Sequence, residues 1–307
     1  MTSMFENLTD TQLRSMTGPF QFDDADVIIR ARLGDVDVDF PAHKLILSHA
    51  SSMFNDMFSI PCSHTTSEEG NPTIEVAEDA QTIHDILSWI YSYGDNVPFD
   101  DFPTLHRLVL GMRKYSMPNL RVILAETLRA KAVEDPLRVF AIACHAELPR
   151  IAQIVATHVL KWEFVAIGTS NIPEFNQLRA RTMCKLLRYH QECGRVASET
   201  ILRRADSYPI SFRVSAFQPN SRGSTDCTRW WKDYVNRAAE QSKTRPIHFD
   251  YTSTKIIAAY CLSAEGSAEC SRSVALKLIE FGECVEQEVL SAVGQVELGM
   301  DDDDFLL

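Results

Sequence analysis

Phe40-Pro41-Ala42-His43-Lys44-Leu45-Ile46-Leu47-Ser48, followed by Ser51-Ser52-Met53-Phe54-Asn55-Asp56-Met57-Phe58, reads as a strand end, a proline break and two short helices. Pro41 has a fixed φ and no N–H, so it suits the position after a strand or the start of a helix. Leu45 and Ile46 fall one turn from Ala42, and Ala50 closes that apolar face. Ser51 is the expected N-cap of the second helix, whose Phe54, Met57 and Phe58 share one side. Upstream, Val27, Ile29 and Ala31 alternate with Ile28, Arg30 and Arg32. Beyond Gly34-Asp35, Val36, Val38 and Phe40 alternate with Asp35, Asp37 and Asp39. Two alternating runs around a Gly-Asp turn predict a β-hairpin with one wet face.

Further motifs extend this start. Asp24-Ala25-Asp26-Val27-Ile28 precedes it. Ile74-Glu75-Val76-Ala77-Glu78-Asp79, Trp89-Ile90-Tyr91-Ser92-Tyr93 and Arg113-Lys114-Tyr115-Ser116-Met117-Pro118-Asn119-Leu120 follow in order. Over residues 23–133 the chain resembles a BTB (POZ) domain. The resemblance implies an α+β fold, a small sheet capped by helices, built for self-association or partner docking. A fold hosts many functions, so it names no pathway.

The 307 residues carry 45% hydrophobic and 23% charged side chains, an ordinary globular balance with room for about two domains. A net charge of −12 and a pI near 5.2 argue against a nucleic-acid or anionic-membrane surface. The first residues lack the basic start and apolar run of a signal peptide. No stretch reaches the roughly 20 apolar residues of a membrane span. The eight cysteines are scattered without a CxxC pair. That pattern suits reduced thiols and places the protein, as an expectation, in the cytoplasm or nucleus.

Residues 1–22 read as a flexible lead, and the polar stretch from Pro61 to Pro72 as a surface loop. Ile74 and Val76 predict a short third strand. Asp79 caps a helix that points Ile83, Leu87, Ile90 and Tyr91 inward and ends at Gly94. Leu105, Leu108, Val109 and Met112 define the next helix. After Pro118 another carries Leu120, Ile123, Leu124 and Leu128.

From 134 to 307 strand signals nearly vanish, and a mostly α-helical C-terminal region is expected. Pro136 opens one helix and Pro149 another, and residues 134–165 resemble the helical repeat that follows BTB domains in adaptor proteins. Asn171-Ile172-Pro173 starts a helix facing Phe175, Leu178, Thr182, Leu186 and Tyr189 inward. A looser region around Pro209 and Pro219 follows, then helices from Thr228 to Glu240 and from Ser271 to Val296. An acidic tail, 301–304, comes last. Pro136 to Cys144, Tyr189-His190-Gln191-Glu192-Cys193-Gly194 and Trp230-Trp231-Lys232-Asp233-Tyr234 resemble stretches of fungal BTB proteins with a helical second part. No repeat of a few tens of residues appears, which excludes solenoid and propeller arrays.

Each site candidate has a plain structural competitor. Asp26 and Lys44 match charged BTB positions near the dimer interface and read as a structural ion pair more readily than a groove-shaping one. His43, in the family's most persistent motif, has no evident nucleophile and reads as a capping or packing residue, as do His49 and His64. His190 and Cys193, with Cys184 and Cys227, offer zinc-type donors but no second close pair, so the sequence favours buried core residues. Asp35, Asp37 and Asp39 share a strand face, read as solvated. One of Trp230 and Trp231 is expected to pack in the core, the other half-exposed. The interaction positions are therefore Asp26, Phe40, His43, Lys44, Met53, Phe54, Met57 and Phe58. No catalytic, cofactor or metal site is assigned.

The function expected is a protein-interaction scaffold, with protein partners, a homodimer through the BTB region, and neither nucleic acid nor membrane. Two narrower versions stand beside it: a substrate adaptor on a cullin scaffold for ubiquitin ligation, and a transcriptional co-regulator. The hydrophobic-x-acid signal of cullin-binding BTB domains is missing from Thr66-Ser67-Glu68-Glu69, and no zinc-finger spacing or basic arm accompanies the domain. No P-loop, dinucleotide fingerprint or metalloprotease motif supports an enzyme.

Overall fold

The computed structural model describes residues 17–60, 65–66, 70–92, 101–118, 121–207, 226–249, 253–263 and 268–301. Contacts divide the chain into two units, Met1–Ala130 with His145–Leu148, and Lys131–Cys144 with Pro149–Leu307.

The first unit is built on a sheet. Strands β1 (Val27–Leu33) and β2 (Val36–Ala42) form the expected antiparallel hairpin, with Val27 opposite Ala42 and Leu33 opposite Val36. Gly34 takes φ +63°, a conformation that glycine adopts without steric cost. Strand β4 (Pro72–Asp79) lies parallel to the other side of β1, and the two-residue β3 (Thr65–Thr66) pairs antiparallel with β4. The order is β2-β1-β4-β3. The stretch expected as pure loop thus contributes a strand. Pro41 does not break β2 but sits inside it, opposite Ile28. β2 is an edge strand, where a residue without N–H can face away from its neighbour.

Val27, Ile29 and Ala31 are buried as predicted, and Ile28 is buried with them. The wetter side carries cross-strand ion pairs. Arg30 reaches Asp39 through Nε and Nη2, both at 2.7 Å, and Arg32 Nε lies 3.4 Å from Asp37. Two of the three aspartates are therefore neutralised by arginines, not merely solvated.

Around the sheet pack α1 (Lys44–Ala50), α2 (Ser52–Ser59), α3 (Ala80–Ser92), α4 (Phe102–Lys114) and α5 (Arg121–Lys131). Side-chain caps fix three helix starts. Ser51 Oγ accepts from the Phe54 N–H, Asp79 from that of Thr82, and Asp101 from that of Thr104. Ile83, Leu87, Ile90, Leu105, Leu108, Val109, Met112, Leu124 and Leu128 are all buried. Two inward assignments fail. Leu45 is 82% exposed and Leu47 takes the core position. The helix begins at Lys44, so its inward stripe is counted from there and not from Ala42. Ile123 is exposed for the same kind of reason, since α5 starts at Arg121. Leu120 and Gly94 lie outside the described residues.

The N-terminal lead is not loose throughout. Gly18–Phe20 form a 3₁₀ turn, and Phe20 is buried edge-to-face against Phe40, His84 and Tyr91.

The second unit is helical: α6 (Pro136–His145, its last residue grouped with the first unit), α7 (Pro149–Val159), α8 (Phe164–Thr169), α9 (Ala180–Ser207), α10 (Asp226–Thr244), α11 (Thr254–Ser263) and α12 (Ala268–Val293). Pro136 and Pro149 open α6 and α7 as expected. The helix predicted from Pro173 is instead a 3₁₀ turn, Pro173–Gln177, followed by an extended Leu178 and then α9. Thr182, Leu186 and Tyr189 still face inward. α8 and α11 were not anticipated. Helices α9 and α10 approach closely at Gly194, where a Cβ would stand 2.4 Å from the Lys243 carbonyl oxygen. Trp231, Tyr234 and Phe281 form a buried aromatic cluster, with Tyr260 edge-to-face on Tyr234. The Trp230 side chain and the segment around Pro209 and Pro219 lie outside the described residues. Asp301 is not free tail: it accepts from Arg181 (2.7 Å) and Lys185 (2.9 Å). Among the described residues, no helix is long and apolar enough to cross a membrane.

Candidate interaction surface

Asp26 and Lys44 meet, but not as an ion pair of side chains. The Asp26 carboxylate accepts from the Lys44 backbone N–H at 2.7 Å. That places a negative charge on the first turn of α1, where unpaired N–H groups and the helix dipole favour it. The role is a cap supplied from the chain entering β1.

His43 occupies the position before α1 without capping it through its ring. Its backbone N–H donates to Tyr91 Oη (2.8 Å), while Nδ1 lies 3.0 Å from Tyr91 Oη and Nε2 3.0 Å from Asp24. The carboxylate can only accept, so Nε2–H donates to Asp24, and a neutral ring then accepts from Tyr91 Oη at Nδ1. The hydrogen bond from His43 holds the Asp24 carboxyl below its ordinary value, and burial pushes the Tyr91 phenol up. Phe22 stacks on Tyr91 and tilts over His43, both at 4.8 Å. Among the described residues no nucleophile joins this arrangement. It fastens the entering chain to α3, which makes His43 a packing residue.

Phe40 and Phe54 are core. Phe54 stacks on Tyr115 at 4.6 Å and on the half-buried Phe58 at 6.1 Å, so an aromatic column runs from interior to surface. Burial pushes the Tyr115 phenol far up, and its hydroxyl donates to Glu78 at 2.6 Å, beside the Lys114 ammonium. Met53 and Met57 follow one another at helical spacing on α2, and Ile60 caps its C-terminal end in extended conformation. Met53 and Met57 are half-buried, Ile60 is 55% exposed, and Leu45 adds apolar surface on α1. Of the four α2 residues that the sequence singled out, Phe54 is core and Met53, Met57 and Phe58 are half-buried, while Leu45 and Ile60 are the exposed apolar side chains nearby in sequence.

A groove of about 700 Å³ opens elsewhere on the unit, between the α1–α2 turn, the end of α4 and the start of α5. Arg113, Arg121 and Glu147 line it. Sequence reasoning missed all three. They lie in three separate segments of the chain, and no local pattern links them.

In the second unit His190 and Cys193 are both buried. His190 Nε2 donates to the Trp162 carbonyl at 3.0 Å, and burial holds its pKa below the usual histidine value. Burial pushes the Cys193 thiol up to about 12. A protonated thiol is a poor metal ligand. Cys184 is exposed, and the Cys227 side chain lies outside the described residues. Among the described residues no three His, Cys, Asp or Glu side chains are placed to hold a metal ion.

Comparison with known proteins agrees with the first unit. The family model of the BTB/POZ domain matches residues 20–132. No curated protein matches the chain, so the likeness of the helical part to fungal BTB proteins rests on its quoted motifs alone. The match begins at Phe20, the first of the described residues of the lead that packs into the core. It takes in the hairpin, the paired helices α1 and α2, β4 and the helices that follow it. Residues 20–132 of this chain are a BTB/POZ domain, a protein-interaction module followed by a mostly helical region.

Proposed function

We propose that this chain is a scaffold whose BTB/POZ domain self-associates while its helical region recruits a second protein. The observation that carries the reading is the apolar face of α2 and α1. Met53, Met57, Phe58 and Ile60 lie on or beside one stripe of a two-turn helix, and Leu45 stands 82% exposed on the preceding one. Apolar surface covered by a partner contributes about 25 cal/mol per Å². Apolar side chains left partly exposed at a protein surface favour such a contact.

Light scattering coupled to size exclusion on the full chain tests it. The expected mass is a multiple of the 34.7 kDa protomer, and Met57→Asp returns the protein to the protomer mass. A wild-type monomer over the whole accessible concentration range would set self-association aside. The ligase-adaptor and co-regulator roles are special cases of this scaffold. Recovery of a cullin in pull-down separates the first, and chromatin association in cells the second. Cytoplasmic or nuclear placement belongs to the same proposal and is read by imaging a tagged chain.

A further inference from the structure

The groove beside α4 differs in chemistry from the apolar face. Val109, Met112, Met117 and Leu124, all buried, make its apolar floor. Its rim carries Arg113, Arg121 and Glu147. Glu147 Oε1 lies 3.1 Å from Arg113 Nε, and Oε2 lies 2.8 Å from Arg121 Nη2. One carboxylate is thus shared by two guanidinium groups, each with five N–H donors in a planar fork. Arg113 Nη1 is buried and has no hydrogen-bond partner among the described residues. On a chain of net charge −12, this rim is a local excess of positive charge.

The backbone marks the same place. Ser116 (φ +50°) and Glu147 (φ +55°) are the two non-glycine residues with positive φ among those described, and both line the groove. Each follows the end of a helix, α4 and α6 respectively, where glycine is the usual occupant. Both positions carry a side chain in a conformation that L-residues rarely adopt.

We propose that the groove binds a short acidic–apolar segment of a partner protein. The partner's carboxylate takes donors on Arg113 and Arg121 that Glu147 leaves unused, and an adjacent apolar side chain lies on the Met112–Met117–Leu124 floor. Glu147 shows that a carboxylate fits between the two forks, which favours this ligand over a phosphate. The inference rests on the reading of the unit as an interaction module. It uses a surface other than the α2 face, so the two can fail independently.

The test is fluorescence anisotropy on the full chain at low salt, with a labelled peptide. The probe reads Asp-Asp-Asp-Asp-Phe-Leu-Leu, a segment of this chemistry that the chain itself carries at 301–307. Wild type binds it and binds the all-Asn counterpart at least about tenfold more weakly, as expected for charge-assisted contacts. Arg121→Ala weakens binding by a similar factor. Glu147→Gln, which releases both arginines, strengthens it several-fold. A merely structural role for Glu147 does not produce that gain. Thermal melts confirm that each variant is folded, and Arg121, half exposed at the start of α5, is chosen because its removal leaves the core intact. Absence of binding, equal binding of the Asn peptide, or displacement by millimolar inorganic phosphate but not acetate overturns the proposal. In none of these cases does the light-scattering result change.

Discussion

Arg138 donates to the buried Glu174 from Nε at 3.0 Å and from Nη2 at 2.5 Å, both to Oε1. Glu174 is only 1% exposed and sits in the 3₁₀ turn, while Arg138 is on α6. The pair therefore fixes the turn between α8 and α9 against another helix of the same unit. A buried pair of this kind adds little net stability over an apolar pair, but its loss on one side is costly.

Arg138→Ala is expected to destabilise the second unit by about 3–5 kcal/mol, because Glu174 is then a buried charge without its guanidinium. Urea denaturation measures the loss. The double replacement Arg138→Met with Glu174→Leu should recover most of it. A double variant as unstable as the single one would show that the pair carries the fold itself.

Ser51→Ala removes two bonds at once. Its Oγ accepts from the Phe54 N–H at 3.1 Å and donates to the buried Tyr115 carbonyl. Loss of a cap plus an orphaned carbonyl costs about 1–3 kcal/mol. The melting temperature of the BTB unit should fall accordingly, and Ser51→Thr should restore most of it.

Gly194→Ala places a methyl 2.4 Å from the Lys243 carbonyl oxygen, against backbone that has no rotamer to yield. Helices α9 and α10 must separate, at a cost of about 1–3 kcal/mol. Hydrogen exchange should show the loss in these two helices and leave the first unit unchanged.

His190 makes stability depend on pH. Burial lowers its pKa below 6.5 in the folded chain, while the unfolded chain takes the proton near 6.5. Below that pH the unfolded state binds more protons, so stability contributed by the neutral ring is complete above 6.5 and declines as the solution is acidified. Urea midpoints across that range should drop for wild type and drop less for His190→Gln. Parallel slopes would assign the acid sensitivity to other groups.

The hairpin, the Ser51 and Asp79 caps, and the prolines opening α6 and α7 were legible because each is a local rule. Alternation marks strands, a short polar side chain satisfies a helix's first N–H groups, and proline fits a first turn. Burial could be read only where the helix start was known: Leu45 and Leu47 exchanged roles when α1 began at Lys44. Likewise the Pro173 helix broke because packing around Glu174 overrides a continuous apolar stripe.

By itself the sequence determined the hairpin, the paired helices and most of the helices that follow over residues 23–133, and with them the resemblance to the BTB/POZ domain, since alternation, capping and motif spacing are properties of neighbouring residues. Only the tertiary structure decided what the site residues do. Asp26 caps a backbone amide, His43 bridges Tyr91 and Asp24, and Arg113 and Arg121 share Glu147. Such contacts join residues far apart in the chain. Their geometry depends on how helices pack, and no periodicity along the sequence encodes it.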